Sequence, residues 1–250
     1  MRQNQLIDSV ILMVLLIGLS AFPVNLLVHD MFWYYVIEAL LMLAALIFIL
    51  FYENRHPETI PHRYSINKIS LLILLPLVLT ACSNFFYALF LKEQAVPTFE
   101  TYHFAQLGFI VINVIVEEFV FRRHLLGNLF HPKKIVRILI SAGVFALCHL
   151  TLFFSTFNPF DLIPVAYAFG LGIMLGFIYC YGNSFIACIV FHLLFNLIND
   201  FLFERLFFVN DLLWYFLING IIALLAGIYL LVIYFFKFEP KQRKSPTYRA

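Results

Sequence analysis

Charged residues are scarce in this sequence. Only 12% of its 250 residues are Asp, Glu, Lys or Arg, whereas 63% are hydrophobic. A soluble domain carries about 25% charged and about 45–50% apolar residues. The composition therefore excludes an ordinary soluble protein. It predicts an all-α, multi-pass integral membrane protein whose surroundings are a lipid bilayer.

Cysteine is also rare, and its placement excludes two further classes. The four cysteines, Cys82, Cys148, Cys180 and Cys188, all lie within apolar stretches. They form no short-spaced Cys pair or Cys/His cluster of the kind that builds a zinc site or a disulfide framework. We interpret them as small apolar packing residues. Internal repeats, low-complexity segments and a separate soluble domain are absent too, so we expect one transmembrane domain over residues 1–250.

Eight apolar runs are long enough to cross about 30 Å of hydrocarbon. The predicted spans are 6–28, 31–52, 69–91, 102–121, 136–154, 162–181, 184–203 and 212–236. If the N-terminus is cytoplasmic, all of the 16 Lys and Arg residues except Lys92 and Arg205 fall on cytoplasmic segments. This bias obeys the positive-inside rule and predicts that both termini are cytoplasmic.

Ionisable residues at membrane depth are costly, and span four carries two of them in succession. Glu117 and Glu118 follow the apolar run 104–116. Arg122 lies four residues after Glu118, on the same helical face, where it can neutralise that carboxylate. Glu117 is rotated roughly 100° away by the helical period, so Arg122 does not neutralise it and its partner must lie elsewhere.

Spans five and seven supply polar partners. His149 stands deep in span five, and His192 and Asn196 lie one turn apart on span seven. Alone, each is also explained as a hydrogen-bond link between helices. Together with Glu117 they predict a cavity among spans four, five and seven that opens to the cytoplasm. Weaker, isolated candidates are Glu38, Asn84, Asn113, which lies one turn before Glu117, and Asp200, which continues the His192 face.

The chemistry open to these residues is limited. The sequence has no serine placed beside a base and no His-Glu-x-x-His motif. A glutamate with a histidine can activate water, while histidine and asparagine can donate to an oxyanion. Glu117, His149 and His192 are equally suited to a divalent metal such as zinc, which would acidify water. Both routes lead to hydrolysis of a carbonyl substrate, most plausibly a peptide bond, and the sequence leaves the choice open.

Three motifs occur in order on successive helices. They are Glu-Glu-x-x-x-Arg at 117–122, Phe-x-x-x-His at 145–149 and His-x-x-x-Asn at 192–196. This ordered set resembles the CAAX-protease and bacteriocin-processing (CPBP, or Abi) family of intramembrane endopeptidases, over roughly residues 85–200. Each motif is weak alone, whereas the ordered set with this spacing is specific.

The resemblance implies a role for each matching residue. It implies that Glu117 activates water with help from His149, and that His192 and Asn196 stabilise the oxyanion. Glu118 and Arg122 match the accompanying structural or site-shaping positions. Family members are usually labelled metalloproteases, although a metal-free glutamate mechanism is also argued, so a zinc cofactor is one of two expectations.

The resemblance also implies a substrate class and a location. The substrate is a membrane-associated peptide or protein that enters from the membrane or the cytoplasmic side, with no nucleic-acid partner. The short loops suggest a bacterial cell membrane, where relatives process peptide pheromones or bacteriocin precursors, confer self-immunity or affect surface-protein display. The rival interpretations are a non-catalytic immunity or scaffold protein, a proton-coupled transporter, and a structural membrane protein with buried salt bridges.

Overall fold

Helices account for all the regular secondary structure in the residues that the computed structural model describes. Those residues are 2–20, 22, 24–55, 68–91, 99–130, 133–150, 162–206, 212–233 and 236. The α-helices are α1 (Arg2–Ser20), α2 (Val24–Leu27), α3 (Met31–Arg55), α4 (Lys68–Ala81), α5 (Ser83–Leu91), α6 (Tyr102–Glu118), α7 (Lys134–Cys148), α8 (Leu162–Tyr181), α9 (Phe185–Phe195), α10 (Phe203–Leu206) and α11 (Leu212–Ile233). The predicted all-helical fold is confirmed for these residues.

The described residues include two π-helical segments that directly continue α-helices, and both begin within the motif-bearing region. Phe119–Leu126 continues α6 directly after the Glu-Glu pair, and Asn196–Leu202 continues α9 from the asparagine of the third motif. A π-helix shifts the register of backbone hydrogen bonds and is frequent at functional sites. The first segment extends the helix of span four to Leu126, beyond the predicted end at 121.

Within the described residues, each predicted span overlaps one helix or helices in succession. Four helical segments of the described chain are long and apolar enough to cross a membrane: Met31–Arg55, Tyr102–Leu126, Pro164–Tyr181 and Leu213–Ile233. The shorter apolar helices are Leu6–Leu19 and Phe185–Ile198. The predicted third span divides at Cys82, and the helix of the first span ends at Ser20 rather than 28.

The predicted topology depends largely on loops that the structure does not describe. Residues 56–67 and 237–250, which carry 6 of the 14 Lys and Arg residues predicted to be cytoplasmic, lie outside the described residues, as does the end of the predicted fifth span at 151–154. The eight-span count and the cytoplasmic termini therefore stay predictions. The link between α8 and α9 is short, Gly182 to Ser184, with Asn183 in the left-handed conformation at φ 51°.

Helix α8 lies between α7 and α11 and packs extensively on both. A Cβ atom built on Gly170 would lie 2.7 Å from the carbonyl oxygen of Ala223 in α11, and one on Gly172 would lie 2.9 Å from Ala142 Cα in α7. Glycines on α8 thus allow close approach of both neighbouring helices. This packing fixes two walls of the cavity described below.

We expect Gly170→Ala to destabilise the protein by about 1–3 kcal/mol, because the added methyl group has no room against the α11 backbone. The measurement is the thermal unfolding midpoint of the detergent-purified protein. Gly108→Ala is the matched control, since a Cβ atom there meets nothing within 4 Å. Equal midpoints for the two variants would contradict the close contact.

Candidate active site

The two adjacent glutamates point in different directions. The Glu118 side chain is fully buried, whereas 18% of the Glu117 side chain is exposed and lines a cavity. This divergence follows from the helical period, which separates consecutive side chains by roughly 100°. The predicted division of the pair, with Glu117 left over, is confirmed.

Glu118 holds two partners at once. Its Oε2 lies 3.4 Å from Arg122 Nε, and its Oε1 lies 2.9 Å from His192 Nδ1. The Arg122 pairing confirms the sequence prediction, and the His192 contact was missed. Because a carboxylate only accepts when ionised, the 2.9 Å contact places a proton on His192 Nδ1 and fixes the orientation of the ring.

The ring orientation turns His192 Nε2 toward Glu117. Nε2 lies 3.7 Å from Glu117 Oε2, which is too long for a direct hydrogen bond. Polar groups at such a separation are commonly bridged by water. Glu117 Oε1 accepts a hydrogen bond of 3.0 Å from Asn113 Nδ2, which confirms that Asn113 shares this cavity and leaves Oε2 facing His192.

Phe145, the aromatic residue of the second motif, packs against the side chains of Arg122, His149 and His192. Its ring centroid lies 4.8 Å from Arg122 Cζ, 4.9 Å from the His149 ring and 6.0 Å from the His192 ring. The Arg122 contact is a cation–π interaction with a buried guanidinium. Phe145 therefore ties the first motif to the two histidines, which gives the Phe-x-x-x-His spacing a physical reason.

His149 does not stand deep in a helix, and that expectation was wrong. Helix α7 ends at Cys148, and His149 is the capping residue, with Nδ1 2.9 Å from Phe145 O. A helix end leaves its last carbonyl groups without partners, so this contact satisfies one of them. Since a carbonyl only accepts, Nδ1 is the donor of this contact, and Nε2 is the ring nitrogen that this contact leaves available.

One cavity of about 290 Å³ brings the four candidate residues together. Glu117, His149, His192 and Asn196 all line it. We call it the α11-side cavity, because Tyr215 and Asn219 of α11 form part of its wall.

The α11 wall was missed by the sequence reasoning. Asn219 is buried and hydrogen-bonded with Ser83 and Asn84 of α5, and Asn84 Nδ2 donates to the Tyr215 hydroxyl at 2.9 Å. The available signal was an asparagine in the middle of the apolar last span. Asn84, judged isolated from the sequence, belongs to this buried network.

A second cavity, of about 250 Å³, meets the first at Glu117. It is lined by Tyr34, Glu38 and Met42 of α3, and we call it the α3-side cavity. Asn113, Glu117 and His149 line both cavities. Glu117 thus stands between two spaces, and a bound chain could occupy both at once.

The donor atoms described at this site do not form a ready three-ligand metal centre. Within the part of the chain that the structure describes, no three His, Cys, Asp or Glu side chains are placed to hold a metal ion. The Nδ1 atoms of His192 and His149 contact Glu118 Oε1 and Phe145 O, as the second nitrogen of a metal-ligating histidine commonly does, and these contacts leave Nε2 of each ring available. The ligand set suggested from the sequence, Glu117, His149 and His192, is not found as a ready cluster among these residues and stays a prediction.

The fold and the cavity together define an all-helical membrane protein with a polar site of carboxylate, imidazole and amide groups inside its bundle. Residues 99–198 match the family model described as type II CAAX prenyl endopeptidase Rce1-like. The segment contains all three motifs, so the predicted resemblance to the CAAX-protease family is confirmed. No curated protein and no solved structure matches the chain. The family match supports a CAAX-protease-like endopeptidase with a peptide or protein substrate.

Proposed function

We propose that this protein hydrolyses a peptide bond within the membrane, using Glu117 as the base that activates water. One observation carries the proposal: Glu117 Oε2 and His192 Nε2 face each other across 3.7 Å inside a cavity, within the family-matched segment. The gap suits a water molecule bonded to both atoms. A water held there is oriented and has an ionisable acceptor beside it.

In the proposed reaction, Glu117 takes a proton from this water while the water oxygen attacks the scissile carbonyl carbon. The carbonyl oxygen becomes an oxyanion, which His192 and Asn196 stabilise by donating hydrogen bonds. For His192 this requires the imidazolium form, because Nδ1 already donates to Glu118.

The tetrahedral intermediate then collapses with cleavage of the carbon–nitrogen bond. The departing amine takes up the proton that Glu117 removed from water, so that the base is regenerated. His149 lines the same cavity and has Nε2 available, which suits it to assist Glu117 in proton transfer. Glu118 and Arg122 do not contact the reacting atoms; Glu118 positions His192, and Arg122 packs on Phe145.

The proposed substrate is a membrane-associated peptide or protein segment that enters from the bilayer or the cytoplasmic side. A bacterial cell membrane, and a role in peptide pheromone or bacteriocin processing, self-immunity or surface-protein display, are extensions that rest on the family resemblance. The rival hypotheses differ in their requirements. A non-catalytic immunity or scaffold protein would tolerate Glu117→Gln, and a transporter would couple uptake to a proton gradient.

The test is cleavage of a randomised library of palmitoylated decapeptides by the purified protein in liposomes, followed by mass spectrometry. We expect cleavage by the wild-type protein and none above background by Glu117→Gln. Intact peptides after incubation with the wild-type protein, or equal cleavage by both proteins, would count against the proposal.

The same assay tests the metal question. Because the described donors do not form a three-ligand set, we expect protein stripped by a chelator, with metal content checked by mass spectrometry, to keep its activity within about twofold. The control is stripped protein with zinc added back. Loss of cleavage on stripping and recovery with zinc would show that the site rearranges to bind a metal.

A further inference from the structure

Glu38 is a buried carboxylate that the proposed reaction does not use. It lies on α3, outside the family-matched segment, and only 5% of its surface is exposed. No hydrogen bond or ion pair to Glu38 is found among the described residues, and it lines the α3-side cavity. A carboxylate at membrane depth is expensive and usually marks a site that pairs with another charge.

The surroundings of Glu38 favour a positively charged ligand. The described residues that line the two cavities include the carboxylates Glu38 and Glu117 and no Lys or Arg. Arg122, the nearby buried cation, is held by Glu118 and the Phe145 ring. A cation that entered the α3-side cavity would therefore meet the Glu38 carboxylate, to which no Lys or Arg among the described lining residues is opposed.

The walls of this cavity also fit the shape of a basic side chain. Met42 and Phe109 contribute apolar surface, and Tyr34 lies one helical turn before Glu38. The aliphatic stem of Lys or Arg packs on such surface while its charged end reaches a carboxylate. A small anion or an acidic side chain in this cavity would be repelled by Glu38.

We infer that Glu38 selects a substrate with a Lys or Arg residue on one side of the scissile bond. The inference rests on the proposed function, and it follows from the position of Glu117 between the two cavities. A peptide that spans both cavities places residues from one side of the scissile bond near Glu38 and residues from the other side near Tyr215 and Asn219. Selection for a basic residue therefore acts only on the side of the scissile bond that occupies the α3-side cavity.

The experiment uses palmitoylated decapeptides in liposomes, in matched sets. The peptides of one set share a sequence and differ at one position, which carries Lys, Gln or Glu. For the wild-type protein we expect cleavage of Lys peptides to exceed that of matched Gln peptides by at least about tenfold, at positions on one side of the cleaved bond. For Glu38→Gln the ratio should fall to near one. For Glu38→Lys the preference should change to Glu peptides.

Matched controls separate selection from folding. Glu100→Gln makes the same substitution at an exposed carboxylate just before α6 and should keep the wild-type ratio. Elution of each variant as a single species in size-exclusion chromatography reports folding, which the removal of a buried charge in Glu38→Gln should not impair.

Four outcomes are informative. Wild-type cleavage without a basic preference, or a preference that persists in Glu38→Gln, overturns the inference and leaves the proposed function standing. No cleavage of any peptide by the wild-type protein overturns the proposed function, and the inference with it. A preference that disappears in Glu38→Gln and is inverted in Glu38→Lys supports both.

Discussion

Glu117→Gln is expected to lower the rate of peptide cleavage by about 10²–10⁴-fold, the usual contribution of a positioned general base. The amide has nearly the shape of the carboxylate, and its oxygen can still accept the 3.0 Å hydrogen bond from Asn113. It cannot take a proton from water. The measurement is the initial rate with a single palmitoylated peptide, once the library has identified a cleaved sequence.

The structure supplies a matched control for this substitution. Glu100→Gln changes an exposed carboxylate that precedes the same helix and should leave the rate unchanged. Glu117→Asp should fall between the two, because it keeps the carboxylate and withdraws it by one methylene group. A Glu117→Gln protein that is folded and cleaves at the wild-type rate would remove Glu117 from the chemistry.

Breaking the buried pair of Glu118 and Arg122 should have the largest effect on stability. Both side chains are fully buried, so Glu118→Met leaves Arg122 as an uncompensated buried charge. Loss of one partner from a buried ion pair costs about 3–5 kcal/mol. We expect a clear fall in the thermal unfolding midpoint of Glu118→Met, and a similar fall in Arg122→Met.

The double variant separates stability from catalysis. Replacing both members of a buried pair by apolar residues is often neutral or stabilising, so Glu118→Met with Arg122→Met should recover most of the lost midpoint. Its cleavage rate should stay about 10²-fold below wild type, because Glu118 no longer holds His192 Nδ1.

A positioning role for Glu118 predicts a particular kinetic pattern. The loss should appear in kcat with little change in KM, since the bound substrate is retained and the oxyanion donor is misplaced. Glu118→Gln should keep part of the activity, because its amide oxygen can still accept from Nδ1–H. Recovery of activity together with stability in the double variant would mean that the pair is structural alone.

Local sequence rules were sufficient to predict the class of protein and the ion pair between Glu118 and Arg122. Hydrophobic runs separated by short links identify a helical membrane protein, because only helices and closed barrels satisfy the backbone in lipid. The spacing of four between Glu118 and Arg122 predicted their ion pair, and the 3.6-residue period predicted that Glu117 would point elsewhere. These inferences depend only on neighbours along one helix.

Local rules failed where a helix ends or changes its geometry. The apolar run that contains His149 continues along the sequence, yet α7 ends at Cys148, and the histidine caps it. The π-helical segment after Glu118 was equally invisible, since hydrophobic periodicity does not distinguish a helix of 3.6 residues per turn from one with a shifted register.

Contacts between helices were decided only by the tertiary structure. The sequence proposed His192 as an oxyanion donor from its family motif, but only packing of α9 on α6 brought its Nδ1 to Glu118. Packing of α3 and α11 around the same region likewise placed Glu38 in one cavity and Asn219 in the other. The physical reason is that helical period fixes which side chains share a face, while close packing of small residues fixes which faces meet.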